Sequence, residues 1–214
     1  HRDLHSFPTR RSSDLINTYS KIEEIKKDFP VNHGFIHINH VINYAKQLSR
    51  LYGLNNHQKK LLYIACSLHD IGYVNGREDH AKSGSIMARE YLGKSNLTLK
   101  DIDIICNAIA NHGGKKKEDF LEPVSRCLAI ADKMDFTRSR YDINNTQYNI
   151  NTFKNIIKTE LSINNNCYIL NILVTPQFSE TEFNNDYFGK KLNNFLHLLS
   201  STFNMEYKIN FTVK

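Results

Sequence analysis

No run of apolar residues in this 214-residue chain approaches the ~20 that a membrane-spanning helix needs. Its four cysteines lack both the spacing of a metal knuckle and the density of a disulfide framework. That excludes a stapled secreted scaffold and is the usage of a cytoplasmic protein with reduced thiols. Cys66, Cys106 and Cys127 each stand among Leu, Ile and Ala and read as small core residues. Neither an internal repeat nor a low-complexity tract is present, so a collagen-like or coiled-coil fibre is excluded. Arginine is absent after Arg140, and no aromatic-basic stacking motif accompanies the lysines. The formal charge of +6 therefore falls short of a nucleic-acid footprint and suits attraction of small anions instead. What is present is 40% apolar and 23% charged residues, enough for one folded unit with a sizeable core and an appendage.

Residues 1–15, HRDLHSFPTRRSSDL, open on His and mix Ser, Arg and Pro, whereas a bias to Asn, Ile and Lys begins at Ile16. The string resembles translated sequencing adapter and is expected to be non-native, so it stays outside the fold argument. It carries three of the basic and two of the acidic side chains, and without it the formal charge is +5.

From residue 16 to about 145 the apolar spacing is helical, with breaks at Pro30–Gly34, Gly53–Asn56, Tyr73–Gly76, Gly93–Leu97 and Gly113–Lys117. After about Asn145 the texture changes. CYILNILV (167–174) and EYKINFTV (206–213) read as strands flanking a helix over roughly 185–203, in which His197 reads as a packing residue. The expected fold class is mainly α: a helical bundle over 16–145 with a small α+β extension over 146–214. The two strands are expected to pair with each other, or to offer an edge to a second subunit in a homodimer.

The densest chemistry lies in LLYIACSLHDIGY, Leu61 to Tyr73, where helical projection at ~100° per residue places His69 inside a broad apolar face and Asp70 at its margin. In HINHVINYAKQLSRL the same projection puts His37 inside the apolar arc and His40 outside it, toward solvent. His80 shares a face with Gly84, Met87 and Tyr91, and the mid-helix glycine predicts a close backbone approach. His112 continues the face of Ile102, Ile105 and Ile109 at a helix end marked by Gly113 and Gly114. Any one of these imidazoles alone reads as a satisfied core histidine. Four on separate helices, beside a carboxylate aimed inward, point to a metal ion. CLAIADKMDF adds Asp132 and Asp135, between which periodicity does not choose.

This ordered set resembles the HD-domain superfamily of metal-dependent phosphohydrolases. HINHV matches its first-ligand helix, SLHDIGY the signature doublet, DHAKSG and AIANHGG the third and fourth histidines, and AIADKMD the closing aspartate. The resemblance, over roughly residues 33–140, implies a primary metal site of His37, His69, Asp70 and Asp132. It implies that Asp70 bridges to a second ion held by His80 and His112, and leaves Asp135 as a supporting or helix-end group. One or two divalent transition ions are implied, and imidazole with carboxylate suits Mn, Fe, Co, Ni or Zn. Asp70 and Lys133 are the candidates for direct participation in catalysis. Lys82, Lys133, Arg138 and Arg140 are the candidate phosphate-binding residues, with pairing to Asp135 as the structural alternative for Lys133. Lys115–Lys117 read as a solvated loop that could border the cleft.

The implied activity is hydrolysis of a phosphomonoester or phosphodiester, a nucleotide among the candidates, by metal-activated water. The implied partner is thus a small phosphorylated substrate, with neither nucleic acid nor membrane. Two other classes share the pattern: a non-catalytic nucleotide-binding sensor module and a non-haem di-iron oxygenase of the same superfamily. The Glu-Asp pair that guanosine-tetraphosphate hydrolases place just after the doublet comes here at Glu78–Asp79, too late to carry that specificity over.

Overall fold

Helices form where the apolar spacing predicts them. A computed structural model of the chain describes residues 9–24, 31–141 and 152–214. Helix α1 (Thr9–Glu24) runs across residue 15, and α2 (Phe35–Leu51), α3 (Asn56–Leu68), α4 (His80–Leu92), α5 (Leu99–Asn111) and α6 (Pro123–Met134) follow. Local chemistry fixes several starts. Asn55 and Gln58 form a reciprocal capping box on α3, Thr98 caps α5, and Glu122 caps α6 ahead of Pro123 at its first position. The apolar faces meet in one core, where Leu62, Ala65, Cys66, Ile105, Ile109, Cys127, Leu128 and Ile130 are all buried. Among the described residues no helix is long and apolar enough to cross a membrane.

At the His-Asp doublet the structure departs from the helix expected over Leu61–Tyr73. Helix α3 stops at Leu68. His69 keeps helical dihedrals (φ −61°, ψ −33°), Asp70 leaves them (φ −103°, ψ 6°), and Ile71–Asn75 tighten into a 3-10 turn. The reason is packing of backbone on backbone. A Cβ on Gly72 would stand 2.0 Å from the His80 carbonyl oxygen and 2.6 Å from the Gly84 nitrogen, so the turn seats directly against α4. This is the close approach that mid-helix Gly84 predicts.

The C-terminal region is a three-stranded sheet in the order β1 (Ile156–Asn164), β2 (Cys167–Val174), β3 (Glu206–Val213), crossed by α7 (Glu180–Asn185) and α8 (Tyr187–Phe203). The two expected strands do pair, in parallel, with Cys167 opposite Glu206 and Val174 opposite Val213. Strand β1 was not expected. Its alternation is broken by the adjacent Ile156 and Ile157, where the ladder has a bulge between Ile156 and Lys158. A two-residue turn, Asn165–Asn166 with φ of 46° and 58°, closes the β1–β2 hairpin. The expected boundary near Asn145 lies outside the described residues.

The sheet reaches the helical unit at the end of α6, where the Thr159 hydroxyl donates to the Met134 carbonyl and lies 2.9 Å from the Tyr44 hydroxyl. Gly72→Ala is expected to lower the unfolding free energy by about 1–3 kcal/mol, because backbone rather than a flexible side chain must yield. Urea titration of the metal-free protein reads this directly, and an unchanged midpoint would contradict the packing.

Candidate metal centre

The four inward histidines are held in one tautomer by their outer nitrogens. His69 Nδ1 lies 2.9 Å from the Cys66 carbonyl oxygen, His80 Nδ1 2.9 Å from that of Arg77, and His112 Nδ1 2.7 Å from that of Ile109. A carbonyl only accepts, so each Nδ1 carries the proton. His37 Nδ1 donates instead to Asp135 Oδ2 at 2.7 Å. Each ring therefore turns its Nε2 toward the centre, the arrangement by which outer partners orient metal-binding imidazoles.

Those nitrogens meet carboxylate oxygens in two adjoining cages. In the first, His37 Nε2 is 3.2 Å from His69 Nε2, 3.2 Å from Asp132 Oδ1 and 3.4 Å from Asp70 Oδ2. His69 Nε2 is 3.2 Å from Asp70 Oδ2 and 3.9 Å from Asp132 Oδ1. In the second, His80 and His112 Nε2 are 3.2 Å apart, and Asp70 Oδ1 lies 3.8 Å and 3.6 Å from them. Ligand atoms bound at ~2.0–2.2 Å around one ion stand roughly 2.9–3.6 Å apart, a range that holds most of these spacings and lies just below the 3.8 and 3.9 Å of His80–Asp70 and His69–Asp132, and the donor types of both cages suit a divalent cation. Three donor triads are each compact enough to hold an ion: His37, His69 and Asp132 within the first cage, His33, His37 and Asp70 beside it, and His69, Asp70 and His112 across the two.

Without a metal, only protons can relieve such a cluster. Burial and the Arg140 guanidinium press the His37 imidazole down, yet hydrogen bonds to Asp132, Asp135 and Asp70 hold its pKa up at about 10. Burial opposes ionisation of Asp70 too, but His69 and His33 keep its carboxyl well below the usual range, and Lys133 and His37 do the same for Asp132. His112, where burial dominates, falls to about 3. The centre thus concentrates negative charge and lone pairs and draws positive charge to the point the cages enclose.

Among known proteins, the HD-domain family model matches residues 34–137. That stretch is an HD domain. HD domains form a superfamily of metal-dependent hydrolases, and the match spans all six residues of the two cages. Solved structures that match include one from an uncultured Thermotogales bacterium, described as a predicted HD superfamily hydrolase. It is 18% identical over 61% of this chain and 78% of that chain, with a TM-score of 0.46. No curated protein matches the chain.

A cavity of about 960 Å³ opens from the HD domain's cages, at the upper end of the ~300–1,000 Å³ typical of small-ligand sites. Of the predicted phosphate-binding residues, Lys82 and Lys133 line it. Lys133 pairs with Asp132 at 2.6 Å, not with Asp135. Arg140 also borders the cavity, but its guanidinium is committed to the Asn32 carbonyl at 2.9 Å and the Asp135 carbonyl at 2.8 Å, and it is only 6% exposed. Its placement is that of a clamp between the start of α2 and the end of α6. Arg138 is exposed and not among the cavity residues. His40, expected at the surface, is half-buried and lies 2.9 Å from Asp135 Oδ1. Asp135 therefore caps α6 and holds His37 at once.

Sequence reasoning missed His33, whose Nδ1 lies 2.8 Å from Asp70 Oδ2. Its ring stacks on Tyr73 at 3.9 Å, and Tyr73 stacks on His80 at 4.0 Å, so one aromatic column braces both cages. The only sequence signal was the spacing His33, His37, His40, and His33 falls in a loop where helical projection says nothing.

Because Asp70 offers one oxygen to each cage, metal titration of the HD domain should be graded. His80→Ala is expected to lower a stoichiometry of two ions to one, whereas Asp70→Ala is expected to abolish tight binding with the helical circular dichroism retained. Calorimetry with elemental analysis measures this, and equal losses in both variants would contradict two separate cages.

Proposed function

We propose that the protein is a metal-dependent phosphohydrolase acting on a small phosphate ester. The observation carrying this is the convergence of four imidazole Nε2 atoms on a shared Asp70, at the floor of a cavity with basic walls. His37, His69, Asp70 and Asp132 would hold one ion, and His80, His112 and the other oxygen of Asp70 a second. Bound divalent ions supply Lewis acidity and lower the pKa of coordinated water toward ~7, the activation that attack on phosphorus requires.

The remaining work falls to the chain itself. Asp135 fixes the tautomer of His37, and the His33–Tyr73–His80 column limits movement of Asp70 and His80. Lys133, tethered to Asp132, brings an ammonium to the edge of the first cage, where it can meet the charge of a phosphoryl group. Lys82 adds a second positive charge on the same cavity wall. A basic cavity favours a phosphate ester or phosphonate over a neutral polyol, so oxygen consumption rather than charge separates the hydrolase from an oxygenase of the superfamily.

A panel of phosphomonoesters and phosphodiesters, assayed with Mn, Fe, Co, Ni and Zn, tests the reading. Turnover is expected for at least one ester, and Asp70→Ala is expected to lower it by about a thousandfold or more, the several kcal/mol that metal activation supplies. Nucleotide binding without turnover under every metal would point to the sensor class. Iron-specific oxygen consumption would point to an oxygenase.

A further inference from the structure

Helix α8 belongs to the C-terminal region, yet one of its faces closes the cavity of the HD domain. Tyr187, Lys191, Asn194 and Leu198 recur at i, i+4, i+7 and i+11 and all line it, with Lys190 beside them. The helix is anchored there by shape. Phe195 packs edge-on against Phe120 with ring centroids 5.5 Å apart, and sits over Gly114 (φ +56°), where a Cβ would meet Phe195 Cε2 at 2.6 Å. From α6, Lys133 Nζ stands 5.8 Å above the Phe195 ring, so α8 touches the residue tethered to Asp132.

The charge on this wall is unbalanced. The cavity's acidic residues are Asp70, Glu78, Asp79, Asp132 and Asp135, and its basic ones Arg77, Lys82, Lys115, Lys133, Arg140, Lys190 and Lys191, of which Lys133 pairs with Asp132 and Arg140 with Asp135. Lys190 and Lys191 are exposed, and neither ammonium forms an ion pair among the described residues. Desolvation at the wall and the nearby Lys133 hold the Lys191 ammonium down to about 8, against the opposing pull of Asp132. Two divalent ions with Lys133 suffice for the one phosphoryl group that reacts. The lysines of α8 line the same cavity from another element and are placed to receive further anionic groups.

We propose that Lys190 and Lys191 of α8 are substrate-binding residues that hold the further phosphates of a polyphosphorylated substrate, whose reacting group lies at the HD cages. The C-terminal region is then the part that selects substrate by phosphate number. The proposal rests on the phosphohydrolase reading for the chemistry at the cages, and its test reads binding alone.

Full-length, manganese-loaded protein is titrated with orthophosphate and with tripolyphosphate by calorimetry, as wild type and as the double variant K190Q/K191Q. Both substitutions are at exposed positions and leave the Phe195 anchor untouched, and a thermal midpoint checks that the fold is kept. Chelation by tripolyphosphate is common to both proteins, so their difference reads the lysines. Wild type is expected to bind tripolyphosphate at least about tenfold more tightly than orthophosphate. The variant is expected to lose about tenfold or more in tripolyphosphate affinity with less than about a twofold change for orthophosphate, the scale of lost charge-assisted contacts. No preference in wild type, or one that survives in the variant, overturns the proposal, as does an equal loss for both anions. A lysine-dependent preference in a protein that hydrolyses no ester would uphold this proposal and remove the hydrolase reading.

Discussion

Acceptors facing acceptors is the constraint on which the rest of the structure depends. Four imidazoles direct their Nδ1 proton to an outer partner, three of them to backbone carbonyls and His37 to Asp135. Their inner nitrogens approach one another and the oxygens of Asp70 and Asp132 to between 3.2 and 3.9 Å. Buried lone pairs at that spacing repel unless a cation lies among them. Protons can meet the need in part, as the elevated His37 shows, but six ligand groups around two adjoining points have more capacity than one proton uses.

The fold supplies the rigidity that such a cluster demands. Gly72 and Gly84 let the turn after the doublet touch α4, which brings Asp70 within 3.8 Å of His80. Arg140 clamps the loop before α2 to the end of α6, so His37 and Asp132 approach from elements fixed to each other. Thr159 extends the same bracing into the sheet by holding the last carbonyl of α6. The C-terminal region thus contributes twice, bracing the cage from β1 and walling the cavity from α8. Positioning of this kind is what lets a metal site keep its geometry as charge develops during reaction.

The cages were largely legible in the sequence because helix phase is a local property. His37, His69, His80 and His112 each project into an apolar arc that can be computed from one segment alone, and the order of the ligands then matched a known family. Asp132 and Asp135 could not be separated that way, since both face the core; the structure puts one in the first cage and the other behind His37. His33 escaped because it acts from a loop, and loops have no period. Lys190 and Lys191 escaped for a different reason. Their helix is amphipathic by itself, and only tertiary packing of Phe195 on Gly114 turns that side of it toward the cavity. The bulge in β1 hid a third strand by breaking the alternation that would have revealed it.

Anomalous diffraction from crystals of the metal-loaded full-length protein tests the central claim most directly. Two peaks are predicted, one among His37, His69, Asp132 and Asp70 Oδ2, the other among His80, His112 and Asp70 Oδ1. A map with no peak beside Asp70, or with the metal held by other residues, would contradict the account.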